Sequence, residues 1–292
     1  MAPTTVDRER KALWEAEPQP GQLFLDEQHA QPVSSGPAVV FSTLIPDWAT
    51  SRAAKAAVHC PCCTPMAPRT SPPGSSPHLG RILRVPVTAA DVAAYIAAVT
   101  AHPAFTERFA DELATPGIRV PLTAETSLWH EAVTVGREVV WAATYGQACA
   151  APRGRTARGH HRLRSRRPAA SQEPHPHRQG ATRHDHLHRL SWGGTVHAGQ
   201  GTFGPVTPRM WGYDVAGANI LRKWFSYRKA NPGGKRTSPL DAIHLAAWPR
   251  EWITEFNEPL TALRRITDLG PAQADLLDRV LAGPLLSRRC VR

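Results

Sequence analysis

The residues best able to do chemistry lie together in LRKWFSYRKANPGGKRTSPLD, residues 221–241. Arg222, Lys223, Arg228, Lys229, Lys235 and Arg236 are interleaved with Trp224, Phe225 and Tyr227, and the only acidic residue is the final Asp241. Ile220, Leu221, Trp224 and Phe225 recur at helical spacing, so they read as core. Arg222, Lys223, Ser226 and Lys229 fall on other faces. A Gly-Gly turn then carries Lys235 and Arg236, with Thr237 and Ser238 behind it. Cations, hydroxyls and exposed backbone N–H groups near one helix end suit phosphates, since neutralising a polyanion releases counterions. The expectation is a DNA-contacting patch of Arg222, Lys223, Arg228, Lys229, Lys235, Arg236 and Ser238, meeting phosphates more than base edges. The alternative for a basic helix of this kind is a solvated face with no partner.

No other motif supplies a reaction. Residues 199–204, GQGTFG, match G-x-G-x-x-G. A dinucleotide site, however, needs a helix to open within the motif and an acidic residue about 20 positions later. Here Pro205 follows the last glycine and Asp214 comes too early, so the stretch reads as a tight hairpin. Gly233-Gly-Lys-Arg-Thr237 lacks the first glycine of a phosphate-binding loop and has Arg236 where Ser or Thr belongs. Neither G-x-S-x-G nor H-E-x-x-H occurs, and Asp111 and Glu112 read as solvated charge on a helix. No catalytic residue is assigned. Two clusters have metal-ligating residue types: His59, Cys60, Cys62 and Cys63, and the alternating His184, His186 and His188. Structural zinc needs a second ligand pair at the right spacing, and none follows, so no metal ligand is assigned either.

The chain has 292 residues and a formal charge of +11. Residues 148–192 hold ten Arg, seven His, two acidic residues and no Lys, so they alone account for +8. The basicity is local, and it argues little about the rest. Residues 52–78 hold six prolines, and Val58 and Met66 are their only large aliphatics. Neither stretch has enough apolar surface to offset its ordering entropy. Both interrupt well-patterned sequence abruptly. The reading favoured here is out-of-frame translation of a GC-rich gene, which enriches Arg, Pro, His, Ala and Ser. A disordered RNA-binding arm and a metal-binding segment are the alternatives. The N-terminus has no apolar leader, and no run approaches the ~20 apolar residues of a membrane span. Five cysteines, three of them clustered, do not form a disulfide scaffold. The expectation is a cytoplasmic protein with no membrane partner.

The elements that must position these residues are helix-rich. PAVVFSTLIP (37–46) reads as a strand. Thr88 and Asp91 form a capping-box pattern ahead of a helix over 89–101. A second helix follows from Pro103 through PAFTERFADEL, and 118–121 reads as a short strand. Ser127 to Gly146 places Leu128, Ala132, Val135, Val139 and Ala142 on one stripe, with a glycine stop. Residues 195–206 read as strand, turn and strand, and Thr207-Pro208 as the start of a short helix. The basic helix is expected from about Ala216 to Asn231. Residues 248–269 are helical in pattern, interrupted or kinked at Pro259; Gly270-Pro271 is a stop and restart signal, and 272–282 form a last helix. The fold class is α+β: a helix-rich domain with a small mixed or antiparallel sheet, interrupted by two stretches expected to be disordered.

Three segments resemble the C-terminal specificity domain of type ISP restriction-modification enzymes, which is attached to adenine-specific DNA methyltransferases. They are residues 20–47, 88–123 and 202–243, and the most telling pattern is Tyr-x-Val-x-Gly-x-x-x-Leu-x-x-Trp-Phe-x-Tyr-Arg from Tyr213 to Arg228. The tail to about Leu286 is similar too. The resemblance divides the chain into specificity-domain parts at 1–51, 79–147 and 193–292, separated by the odd stretches at 52–78 and 148–192. It implies target recognition on double-stranded DNA for a methyltransferase domain or subunit. S-adenosylmethionine would be bound by that catalytic part, and no cofactor by this chain. The Asn-Pro-Pro-Tyr and Asp-Pro-Pro-Tyr signatures of amino-methyltransferases are absent from the sequence, so whether the chain is itself an enzyme stays open. A non-functional gene fragment is the alternative to a working module.

Overall fold

A capping box at Thr88 and a close backbone approach at Gly136 organise the first compact unit. A computed structural model describes residues 24–27, 35–42, 75–115, 118–146, 190–198, 201–215, 217–226 and 250–286. The chain divides into two compact units, Met1–Ala157 with Asp268–Arg292, and Arg158–Thr267.

In the first unit, β1 (Phe24–Glu27) pairs antiparallel with β2 (Val39–Ser42), Phe24 opposite Ser42. Helix α1 (Ser75–Leu83) begins inside the proline-rich stretch and had no signal in the sequence reading. Helix α2 (Ala89–Thr100) starts as expected: the Thr88 hydroxyl accepts from the Asp91 N–H, and the Asp91 carboxylate accepts from the Thr88 N–H at 3.0 Å. Helix α3 (Pro103–Arg108) is shorter than its sequence pattern and gives way to a 3-10 turn, Glu112–Ala114. Helix α4 (Thr126–Ala143) buries Leu128, Ala132, Val139 and Ala142 of the expected stripe, while Val135 is only half-buried. It ends on Tyr145 and Gly146, both in the left-handed region, where glycine alone is unstrained.

Helices α2 and α4 form the centre of this unit. A Cβ on Gly136 would sit 1.6 Å from the Ala94 carbonyl oxygen, so the two backbones touch. The Tyr95 ring stacks on Trp129 at 4.5 Å. Its hydroxyl donates to the Pro121 carbonyl (2.9 Å) and accepts from the Thr123 N–H (3.0 Å). Burial pushes that phenol up to about 12. The strand expected at 118–121 does not form. Pairing falls slightly later, as a single bridge between Thr123 and Leu285, flanked by N–H to carbonyl bonds from Ala124 to Pro284 and from Leu286 to Leu122.

In the second unit, β3 (Leu190–Trp192), β4 (Val196–Ala198) and β5 (Gly201–Phe203) form an antiparallel meander. Ala198 pairs with Gly201, so β4 and β5 run antiparallel on either side of Gly199-Gln200, in keeping with the hairpin expected for the G-x-G-x-x-G match; those two residues lie outside the described residues. Helix α5 (Pro208–Trp211) is capped by Thr207, whose hydroxyl accepts from the Met210 N–H. Next, β6 (Asp214–Val215) and β7 (Ala218–Asn219) form a second small hairpin, turning at Gly217 with φ +75°. Helix α6 (Ile220–Ser226) therefore starts at 220 rather than 216. Phe203, Val206, Met210, Leu221, Phe225, Phe256, Leu260 and Leu263 are buried together.

The last helix differs most from expectation. Helix α7 (Arg250–Ala282) is one continuous element of 33 residues through Pro259 and Gly270-Pro271. A proline inside a helix costs about 3 kcal/mol. Burial of Phe256, Leu260 and Leu263 in the second unit and of Leu276, Leu277 and Val280 in the first outweighs that local cost. Past the breaker, the Gln273 amide donates to the Ala97 and Ala98 carbonyls, each at 3.1 Å. The small antiparallel sheets among these helices make the fold α+β.

Candidate nucleic-acid interface

Helix α6 carries the first two residues of the expected patch. Leu221 and Phe225 are buried, Ile220 and Trp224 are half-buried, and Arg222, Lys223 and Ser226 are exposed. The 3.6-residue period thus sorts core from surface as the sequence implied. The Ser226 hydroxyl donates back to the Lys223 carbonyl at 2.8 Å. Arg228, Lys229, Lys235, Arg236 and Ser238 lie outside the described residues, as do Cys60, Cys62, Cys63, His184, His186 and His188.

What holds Arg222 is a group of residues the sequence reading did not assign. Its guanidinium carbon lies 5.2 Å from the centroid of the Trp211 ring, within the range of cation–π attraction. Trp211 in turn stacks on Trp192 at 5.9 Å with the planes 12° apart, and the Trp192 indole N–H donates to the Val206 carbonyl at 2.9 Å. Asn219 links the two partners. Its amide nitrogen donates to the Trp211 carbonyl at 2.7 Å, and its amide oxygen accepts from the Arg222 N–H at 3.0 Å. One side chain therefore caps α6 and ties the end of α5 to it. Among the described residues no carboxylate pairs with Arg222. Arg209, on α5 beside the Trp211 turn, is a further exposed cation.

Asn219 had a sequence signal that was not used: an Asn three residues before Arg222, at the edge of an apolar helical pattern, marks an N-cap. The Trp192–Trp211 pairing had none, because 19 positions separate residues that only the meander and α5 bring together. Among the described residues no cluster of three or more His, Cys, Asp or Glu is placed to hold a metal, and no helix is long and apolar enough to cross a membrane.

Residues 1–262 match the family model described as the type ISP C-terminal specificity domain. Neither a curated protein nor a solved structure matches the chain. The match spans most of the sequence, including the meander, the Trp211–Arg222 contact and α6, and it stops within α7. The chain therefore belongs to the family of type ISP C-terminal specificity domains.

Proposed function

We propose that this chain is a DNA target-recognition module of a type ISP restriction-modification system. In this reading it binds duplex DNA on behalf of an adenine-methylating catalytic region. The signature tetrapeptides of that region do not occur in residues 1–292, and S-adenosylmethionine belongs to it rather than to this chain. The carrying observation is the match to a specificity domain over 262 of 292 residues. The exposed Arg222 and Lys223 support it, since they stand on the solvent face of α6 at the head of the basic run.

The contact surface in this proposal is Arg222, Lys223, Arg228, Lys229, Lys235, Arg236 and Ser238. Duplex DNA suits it because each neutralised phosphate releases condensed counterions. The test is anisotropy titration of a labelled random-sequence duplex over a range of salt. Lys235→Glu combined with Arg236→Glu is expected to weaken binding to every sequence and to lower the salt slope by roughly two, about one per lost phosphate contact. Unchanged affinity and slope would remove these two residues from the interface. A wild-type chain with no duplex affinity at low salt would refute the proposal itself.

A further inference from the structure

The sequence favoured phosphates over base edges as the partners of the patch. The surroundings of Arg222 point elsewhere. A phosphate contact needs positive charge and tolerates a mobile side chain, so a long solvated stem serves it well. Reading a base edge needs a planar fork held in one place, because two N–H groups must meet two acceptors together. Arg222 is exposed, yet one contact restrains its side chain and two more fix the backbone and the ring it rests on. Its guanidinium lies over the Trp211 ring. Its own backbone N–H is bonded to the Asn219 side chain. The same Asn219 holds the Trp211 carbonyl, and Trp211 is braced by Trp192, itself bonded to the Val206 carbonyl. Ordering a free arginine side chain on binding costs entropy on the order of 2 kcal/mol. Here the Trp211 ring face already orders part of that side chain in the free protein, while the fork keeps its N–H donors, because a cation–π contact uses none of them.

We infer that Arg222 is a base-reading residue that recognises guanine from the major groove, with Trp211 and Asn219 as the residues that position it. The guanidinium would donate to guanine O6 and N7, the acceptor pair that matches its fork and that no other base presents. This inference rests on the duplex-binding reading above. Lys223, beside it on the exposed face, lacks the planar fork and remains suited to phosphate.

The experiment is selection of duplexes from a randomised library by the full chain, followed by competition between the selected duplex and the same duplex with one G·C pair replaced by A·T. Wild type is expected to enrich a site with at least one guanine, and replacing that guanine to weaken binding roughly tenfold or more, the range for a bidentate contact. Arg222→Lys keeps the charge and loses the fork, so that discrimination ratio is expected to collapse toward one at a single position and to persist at the others. Trp211→Phe keeps an aromatic packed against the core but weakens the cation–π contact. It is expected to lower the ratio at that same position only, a selective change that general loss of packing does not produce. Circular dichroism melts identify any variant that fails to fold, and Arg222→Gln, at an exposed site, then serves as the second probe. If Arg222→Lys and Arg222→Gln leave the base preference intact at every position, the inference is overturned. A wild type that binds duplex but enriches no guanine overturns it as well. A wild type that binds no duplex defeats the underlying reading, and this inference with it.

Discussion

Gly136 and His102 show how much a single residue decides in the first unit. At Gly136 the α4 backbone meets the Ala94 carbonyl so closely that a Cβ would lie 1.6 Å from the oxygen. Gly136→Ala must therefore separate α2 from α4, and a loss of at least about 3 kcal/mol is expected, the upper end for overpacking. A shift of the urea midpoint to much lower concentration would show it, and an unchanged midpoint would mean that the helices do not cross so tightly. His102 is buried, with one ring nitrogen 2.9 Å from the Val99 carbonyl and the other, Nδ1, without a partner among the described residues. Burial lowers its pKa to about 4, from 6.5. Below 6.5 the unfolded chain takes up a proton that the folded chain refuses. Stability is therefore complete above about pH 6.5 and is lost as pH falls toward 4, by up to about 3 kcal/mol from this residue. Denaturant midpoints between pH 7.5 and 4.5 should fall steeply for wild type and less for His102→Gln.

At the scale of elements, caps decide where helices begin. Thr88 and Asp91 close α2 reciprocally, and Arg137 of α4 pairs with Asp91 at 2.5 Å. Partial burial raises the Asp91 carboxyl, but hydrogen bonds from Thr88 and the Arg137 guanidinium outweigh it, and the group titrates below its usual range. Thr88→Ala should cost about 1 kcal/mol, read as a drop in melting temperature. A neutral result would show that packing alone holds the first turn. In the second unit Asn219 caps α6 and holds the Trp211 carbonyl at once. Asn219→Ala should cost a similar amount. It should also reduce any guanine discrimination that depends on Arg222, an effect absent if the cap and the Trp211–Arg222 contact are independent.

At the scale of the whole molecule, α7 contributes core residues to both compact units, Leu260 to the second and Leu276 to the first. Both side chains are fully buried. Leu260→Ala and Leu276→Ala should each cost between about 2 and 5 kcal/mol, and hydrogen exchange should place the two losses in different parts of the chain. A single, identical protection loss across both units would contradict their separation. The stretches 52–78 and 148–192 are proposed to be out-of-frame. Translating the underlying DNA in its other frames is expected to restore alternating apolar sequence there, and its absence would return those segments to the arm or metal readings. The end of the first stretch is helical from Ser75, and the second ends in β3.

The sequence by itself determined what depends on neighbours a few positions apart. The capping box at Thr88, the α4 stripe, the hairpin over 196–203 and the sorting of Arg222 from Leu221 are all of this kind, because a helix turn or a strand pleat fixes which side chains share a face. The family pattern over Tyr213–Arg228 was legible for the same reason: its residues are close in sequence. Tertiary structure decided whatever joins distant residues. Pro259 and Gly270-Pro271 read locally as breaks, yet burial on both sides carries α7 through them. Residues 118–121 have strand composition, but the bridge forms at Thr123 because the chain near Leu285 runs alongside there. The Trp192–Trp211–Arg222 assembly was invisible for the same cause: stacking energy depends on ring positions in space, and no spacing rule connects residues brought together by a meander and a one-turn helix.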